Sequence, residues 1–183
     1  MVKRILLALL AIVVILVLVA FLLPRKIHVE RTVSIKAPAE RIFAEVNSLK
    51  KWQAWSPWHQ LEPDAEYIYS GPEEGVDCKS EWKGEKIGVG SQLITKSSRY
   101  DRIETTLDFA DQGTAESFWT FQPDGDSTKV TWGFDTDMGI NPIARYMGLM
   151  MDSWIGADYE KGLNNLKKIC ESEPDNQESS PES

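Results

Sequence analysis

The chain has 183 residues, of which 42% are hydrophobic and 26% are charged, as is ordinary for one globular domain with its own core. The formal net charge of −8 is unevenly distributed: residues 1–26 carry only basic side chains, residues 171–183 carry only acidic ones, and the stretch between them remains acidic. An acidic body lacks the positive footprint of nucleic-acid-binding proteins and argues against broad docking onto anionic lipid headgroups. We therefore expect no nucleic-acid partner.

The chain begins with an apolar segment, residues 5–23 (ILLALLAIVVILVLVAFLL), that contains no charged side chain. As a helix it would extend over roughly 28 Å, about the thickness of the hydrocarbon core of a bilayer. A cleaved signal peptide is the alternative, but its apolar region is usually only about 7–15 residues long. In addition, cleavage after Ala20 would need a small residue where Leu18 stands. We therefore predict that residues 1–26 form an uncleaved, single-pass transmembrane anchor.

The orientation of this anchor depends on basic residues that nearly balance one another. Lys3 and Arg4 precede the apolar segment, whereas Arg25, Lys26 and Arg31 follow it. Cytoplasmic flanks are usually the richer in Lys and Arg, and the amino terminus adds to the first group. We expect a cytoplasmic amino terminus and a soluble domain on the extracytoplasmic (periplasmic) side of the cell membrane.

The soluble part opens with a strand followed by two short helices. Residues 27–36 alternate between two faces, one of them formed by Val29, Arg31, Val33 and Ile35. Pro38 suits the first turn of a helix, which we predict over residues 39–48. A second helical stretch is predicted over residues 49–55, before a Ser-Pro pair.

Six further strands follow with a period of two, separated by turns rich in Gly, Pro and Asp. Alternation with one apolar face is typical of an antiparallel sheet that covers a core on one side, and the short turns predict a meander. The predicted strands comprise residues 66–70, 76–82, 90–98, 101–109, 114–122 and 127–136.

A long C-terminal helix is predicted from the Asn141-Pro142 pair, a good N-cap and first-turn combination, to about Ile169. An apolar stripe follows it, comprising Ile143, Met147, Met150, Met151, Trp154, Ile155, Tyr159, Leu166 and Ile169. Gly148, Gly156 and Gly162 interrupt the helix and permit a bend or a close approach to a strand or a ligand. We assign residues 27–170 to one α+β domain and residues 171–183 to an acidic, disordered tail.

This order of elements, together with three stretches of sequence, resembles the START-like (SRPBCC) superfamily and, within it, bacterial polyketide cyclase/dehydrase-like proteins. The stretches are residues 29–58 (VERTVSIKAPAERIFAEVNSLKKWQAWSPW), residues 69–76 (YSGPEEGV) together with residues 80–95 (SEWKGEKIGVGSQLIT), and residues 148–167 (GLMMDSWIGADYEKGLNNLK). The resemblance implies a helix-grip fold, a curved antiparallel sheet of about seven strands wrapped around the long C-terminal helix. It also implies an internal hydrophobic cavity, but no single activity.

Large aromatic residues are the first candidates for the walls of such a cavity. Trp52, Trp55 and Trp58 are spaced by three and either plug one end of the core or stack on a ligand at the cavity mouth. Trp82 and Trp132 lie on the apolar faces of two predicted strands. Both interpretations are compatible with burial.

The C-terminal helix supplies the remaining candidates. Met147, Met150, Met151 and Trp154 either pack against the sheet or form an adaptable cavity wall, because Met is flexible and polarisable. Asp158 is about 40° around the helix from Trp154, so it could face the cavity, where burial would raise its pKa. The alternative for Asp158 is an ordinary solvated or salt-bridged side chain.

The sequence contains no pattern that indicates a metal, a cofactor or a catalytic set. His28 and His59 are the only histidines, and no Cys/His cluster has ligand spacing. Cys78 and Cys170 could form one bridge, although two buried, inert thiols are the expected state. We expect no cofactor and assign no catalytic residue.

Three functions are compatible with these observations. The first is a membrane-anchored module that binds a hydrophobic small molecule or lipid in its cavity. The second is an enzyme of the cyclase, dehydratase or isomerase type, which requires at least one polar or ionisable group inside the cavity. The third is an interaction module without a ligand, acting through its outer face or its acidic tail.

Overall fold

The computed structural model describes residues 1–172; the predicted acidic tail lies outside the described residues except for its first two positions. The N-terminal helix α1 spans Val2–Ala20, and among the described residues it is the one helix that is long and apolar enough to cross a membrane, by length and composition. The three further α-helices in the described part of the chain are α2 (Ala39–Val46), α3 (Pro57–Leu61) and α4 (Pro142–Glu171), and 3-10 helices cover Leu49–Ala54 and Ala110–Gln112.

The strands form one antiparallel sheet in the order β1-β7-β6-β5-β4-β3-β2. Their bounds are β1 Lys26–Ile35, β2 Glu66–Ser70, β3 Lys79–Lys83, β4 Val89–Ser98, β5 Arg102–Asp108, β6 Thr114–Asp124 and β7 Ser127–Asp137. The meander of β2 to β7 joins neighbours by short turns, whereas β1 pairs with the last strand, with Lys26 opposite Asp137. The sheet curves around α4, which confirms the predicted helix-grip fold.

The core lies between the inner face of the sheet and the helices. Alternate residues of β6 and β7 point inward, so that Trp119, Phe121, Val130 and Trp132 are all buried. The helix α2 adds Ile42, Phe43 and Val46, and α4 adds Tyr159, Leu163 and Leu166 from its second half. These elements close one side of the sheet, while its other face stays open to solvent.

Helix α4 approaches the sheet through its glycines. A Cβ atom on Gly148 would lie 3.0 Å from Ile27, and one on Gly162 would lie 2.8 Å from the ring of Trp132. At Gly156 the space above the backbone is filled by the guanidinium of Arg31. The close approach of α4 to the sheet therefore explains why all three positions are glycine, as the sequence suggested.

Arg31 is the charged residue on the inward-facing side of β1, and it joins β1 to α4. Its Nη1 atom donates to Asp152 Oδ1 at 2.9 Å, and its Nε atom donates to Glu160 Oε1 at 2.8 Å. The two carboxylates are four residues before and four residues after Gly156, so the guanidinium lies across the helix between them. The side chain is only 25% exposed, and this pairing is how a charge is accommodated beside the core.

Several predicted boundaries differ from those of the structure. The predicted strand 76–82 begins at Lys79, because Gly75 and Asp77 have positive φ angles that break regular pairing. The second helical stretch is a 3-10 helix, and α3 follows it from Pro57. The N-cap of α4 is confirmed, since Asn141 Oδ1 accepts from the backbone N–H of Ile143 at 2.9 Å.

Candidate ligand-binding cavity

A cluster of aromatic rings lies at the centre of the core, around Trp132. Its ring stacks on Tyr159 of α4 with centroids 3.9 Å apart and on Trp119 of β6 with centroids 4.3 Å apart. Trp52 and Trp58 approach Trp132 edge-on at 5.5 and 5.6 Å. Offset-stacked and edge-to-face ring contacts stabilise the cluster beyond what the burial of apolar surface contributes. The rings therefore form a fixed wall.

A partly enclosed cavity of about 140 Å³ adjoins this wall. A water molecule takes about 30 Å³ of liquid and an engineered cavity of about 150 Å³ accepts benzene, so the space fits one aromatic ring or a short branched chain. It is smaller than the usual ligand pocket of about 300–1,000 Å³. The apolar lining consists of Leu49, Trp52, Trp58, Trp82, Ile87, Leu107, Phe109, Trp132, Phe134 and Ile155.

The cavity extends toward one particular end of the sheet. Tyr67 stands at the start of β2, Trp82 near the end of β3, and Leu107 near the end of β5. The antiparallel register brings these positions to the same end of the sheet at which β1 begins and β7 ends. Since α1 leads directly into β1, the cavity lies in the half of the domain nearer to the apolar helix.

Polar groups are interspersed among these apolar walls. Apart from the hydroxyls of Tyr67 and Tyr159, the polar lining consists of Ser56, His59, Ser80, Gln92 and Ser117. Two of them are engaged within the protein: Ser117 Oγ accepts from Trp132 Nε1 at 3.1 Å, and Gln92 Nε2 donates to Thr105 at 3.2 Å. The serine hydroxyl and the amide oxygen retain lone pairs that a ligand can use.

His59 is the ionisable side chain of greatest interest in the lining. Its ring stacks on Tyr67 with centroids 3.9 Å apart, and Nε2 lies 3.3 Å from the hydroxyl of Tyr69. Nδ1 is buried and has no hydrogen-bond partner. Burial lowers the pKa of His59 to about 4, so the imidazole is neutral at pH 7.

The two lining tyrosines are also held in their neutral form. Burial raises the pKa of Tyr67 to about 12, and burial likewise raises the pKa of Tyr159. A base with a pKa near 4 and phenols this weakly acidic are poorly matched to proton transfer at neutral pH. All of them are well suited to hydrogen-bond a polar group of a bound molecule.

Four of the residues singled out from the sequence meet at this cavity, namely Trp52, Trp58, Trp82 and Trp132. Trp55 is fully buried behind Trp52, with ring centroids 4.6 Å apart, and does not reach the lining.

The residues singled out on α4 lie elsewhere. Met147, Met150 and Trp154 are 46%, 48% and 46% exposed, and Met151 is half-buried without lining the cavity. Asp158 is half-buried on the flank of the helix, where burial raises its pKa, but it is not part of the lining either. The helix contributes Ile155 and Tyr159 instead.

Sequence reasoning missed most of the polar lining. Ser80, Gln92 and Ser117 come from three different strands and carry no motif, so only the register brings them together. His59 belongs to no catalytic pattern that would single it out. The one available signal is its position beside the run of tryptophans at 52, 55 and 58.

Comparison with known proteins agrees with this geometry. A family model described as "Polyketide cyclase / dehydrase and lipid transport" matches residues 26–171. The chain belongs to this family. The polyketide cyclase/dehydrase and lipid transport family falls within the superfamily predicted from the sequence, and that prediction is confirmed. No curated protein matches the chain.

Solved structures of low sequence identity share the fold of this family member. A truncated norcoclaurine synthase from Thalictrum flavum is 12% identical, with a TM-score of 0.62 and coverage of 81% of this chain and 96% of that one. The protein TTHA0849 from Thermus thermophilus is 18% identical, with a TM-score of 0.58 and coverage of 77% and 94%. The protein CV1439 from Chromobacterium violaceum is 18% identical, with a TM-score of 0.54 and coverage of 82% and 99%.

Family and fold together indicate a domain of the hydrophobic-ligand-binding or cyclase type. Within residues 1–172, no group of three or more His, Cys, Asp or Glu side chains is placed to hold a metal ion. Cys78 and Cys170 are both buried and unpaired, as expected from the sequence.

Proposed function

We propose that this protein is a membrane-anchored module that binds a hydrophobic small molecule, with a single ring or a short chain of the ligand held in the cavity. The observation that carries the proposal is the partly enclosed space of about 140 Å³ between aromatic walls, with the polar side chains of His59, Ser80 and Gln92 among its lining residues. An apolar surface with a few polar groups is the usual composition of a small-molecule site.

The size of the cavity limits the ligand. A whole lipid does not fit in about 140 Å³, so a lipid ligand would leave part of its chain outside or displace a wall. The polar side chains of the lining, among them Ser80, Gln92 and Ser117, favour a ligand with at least one hydroxyl, carbonyl or amine in addition to its apolar part.

The anchor would serve to keep the site close to molecules dissolved in the bilayer. Helix α1 supports this part of the proposal by its length and by side chains that are almost all exposed and apolar. The extracytoplasmic location of the domain stays a prediction from the flanking charges.

Catalysis of the cyclase or dehydratase type is the second candidate, and one observation favours it. His59 places a neutral imidazole in the lining, and at least one ionisable group in the cavity is the minimum that an enzyme would need. Its low pKa, about 4, makes it a weak base, so binding is the better supported function.

A thermal-shift experiment on the full-length chain in phosphatidylcholine nanodiscs tests the binding proposal. The ligand panel consists of benzene, phenol and indole. A ligand present at about 100 times its Kd should stabilise the fold by about 2.7 kcal/mol, and for a domain of this size that raises Tm by about 5–10 °C.

Two matched variants decide where the ligand binds. Ser80→Leu adds a branched apolar group inside the cavity, whereas Ser70→Leu makes the same change at an exposed position on the neighbouring strand. The shift should disappear in Ser80→Leu and persist in Ser70→Leu. Equal shifts in both variants would place the ligand outside the cavity, and no shift with any panel member in the wild type would count against the proposed function.

A further inference from the structure

The first half of α4 carries an apolar stripe that no other described part of the protein covers. We define the α4 stripe as Ile143, Met147, Met150 and Trp154, which are 71%, 46%, 48% and 46% exposed. At about 100° per residue these four side chains fall within roughly 60° of arc. Ile140, just before the helix, is 77% exposed at the same end. A continuous apolar face of this kind normally marks a contact surface.

The position of the stripe is fixed by contacts between α4 and α1. Tyr146 donates its hydroxyl hydrogen to the carbonyl oxygen of Leu16 at 2.8 Å. Arg145 donates from Nη1 to the carbonyl oxygens of Ala20, Phe21 and Leu23 at 3.4, 3.1 and 3.4 Å. The carbonyl of Ala20 also accepts from the backbone N–H of Leu23 at 3.2 Å, and Phe21 and Leu23 lie just beyond the helix, so Arg145 binds the C-terminal end of α1, where a cation complements the helix dipole.

These contacts place the stripe beside the apolar surface of α1. Tyr146 is only about 40° around α4 from Met150, so α1 runs along one flank of the stripe. Leu16 lies well inside the apolar segment, at residues 5–23, and not at its end. If α1 spans a bilayer, the first turns of α4 therefore reach the level at which the bilayer begins.

We propose that the α4 stripe is seated in the interfacial region of the same bilayer that α1 spans. This inference rests on the membrane anchoring in the proposed function. The occupant is lipid, because the stripe continues the apolar surface of α1, and because Trp154 is of a residue type enriched at membrane interfaces. The contact is driven by apolar burial and not by charge, since the domain is acidic overall.

The arrangement has a consequence for access to the cavity. Ile155, which lines the cavity, directly follows Trp154 of the stripe. The other lining residues Trp82 and Leu107 lie at the same end of the sheet as the junction with α1. Seating the stripe in the interface thus turns the cavity-bearing end of the domain toward the lipid, so that the ligand class to test first is one that partitions into membranes.

Fluorescence quenching tests this inference. A fluorophore is attached to a single introduced cysteine, and brominated lipid quenches it where it contacts the bilayer. The full-length chain is labelled at Met147→Cys with an environment-sensitive dye and placed at one chain per nanodisc, which removes contacts between copies. The matched control is Asn164→Cys, exposed on the same helix about 25 Å further along. Leu10→Cys, in the middle of α1, reports whether the anchor itself is inserted. The native thiols are buried, so the wild type treated in the same way gives the background.

We expect quenching at Met147→Cys to be severalfold stronger than at Asn164→Cys and insensitive to replacing zwitterionic with anionic lipid. Met150→Cys should repeat the result if the first variant folds poorly. Quenching at Leu10→Cys without quenching at either stripe position would overturn the inference while leaving the anchor intact. Absence of quenching at Leu10→Cys would refute the anchoring itself. Equal quenching at Asn164→Cys would show that lipid contact is not particular to the stripe and would overturn the inference as well.

Discussion

His59 should make the stability of the domain fall on mild acidification. In the folded protein burial lowers the pKa of His59 to about 4, whereas its ordinary value is 6.5. Between these two values the unfolded chain binds a proton at His59 and the folded protein does not. The contribution of neutral His59 to the free energy of unfolding is therefore fully present above about pH 6.5. It decreases as the pH falls toward about 4.

The size of this effect follows from the burial of the ring. The interval between 6.5 and about 4 would correspond to about 3.4 kcal/mol for a fully buried group, at about 1.36 kcal/mol per pH unit. The ring of His59 is only partly buried, and solvent screening reduces the expected loss to about 1–2 kcal/mol. For a domain of this size, such a loss lowers Tm by about 2–8 °C.

The assay compares thermal unfolding of the full-length wild type and of His59→Phe between about pH 7.5 and about pH 4.5. Phe keeps the stack on Tyr67 but cannot take up a proton, so its Tm should decrease less on acidification. His28 acts in the opposite direction, because its hydrogen bond with Asp135 raises its pKa and its contribution is lost as the pH rises. His28→Gln should therefore show a larger acid loss than the wild type. Identical pH profiles for the wild type and His59→Phe would refute the reasoning.

Further predictions concern α4. Gly162→Ala should destabilise the fold by about 1–3 kcal/mol in urea unfolding, because the new Cβ would meet the rigid ring of Trp132 at 2.8 Å. Gly156→Ala should cost less than Gly162→Ala, because the guanidinium of Arg31 can move toward solvent at the expense of its ion pairs with Asp152 and Glu160, and Ala gains up to about 1 kcal/mol of helix propensity; equal losses in the two variants would contradict this distinction. Burial raises the pKa of Asp158, so its charged form is disfavoured in the folded state as the pH rises through that pKa. Asp158→Asn should accordingly raise Tm at neutral pH and leave it unchanged in acid, and a lower Tm at neutral pH would speak against this.

The architecture was predictable because periodicity and turn chemistry are local signals. The alternation in β6 and β7, the Asn-Pro start of α4 and the charge-free run at the amino terminus all lie within short windows of sequence. The strand predicted from Val76 shows the limit of that approach. Its alternating pattern predicts extended backbone, but the positive φ of Asp77 interrupts it before Lys79.

The inward side of α4 could not be identified from hydrophobicity. The side chains that score as apolar include Met147, Met150 and Trp154, and these point away from the sheet. The face that meets the sheet contains Gly148, Gly156 and Gly162, which a hydrophobic pattern does not register. A helix with one apolar face toward the core and another directed outward gives two overlapping stripes in sequence.

The polar part of the cavity was unpredictable for a different reason. Ser80, Gln92 and Ser117 are brought together by pairing of strands far apart in sequence, and each is an ordinary residue in its own strand. Among the lining residues, the four tryptophans could be chosen as cavity candidates from the sequence because their side chains are large. The composition of the walls could thus be anticipated, but the hydrogen-bonding groups among them could not.

Mass spectrometry of the molecules that co-purify with the full-length chain tests the central claim most directly. Wild type and Ser80→Leu are prepared identically under native conditions in nanodiscs, denatured, and their small-molecule extracts compared. The account predicts a compound with an apolar ring or chain and at least one polar group, enriched in the wild type and depleted in Ser80→Leu. Indistinguishable extracts from the two proteins would contradict a ligand-binding cavity and favour an interaction module.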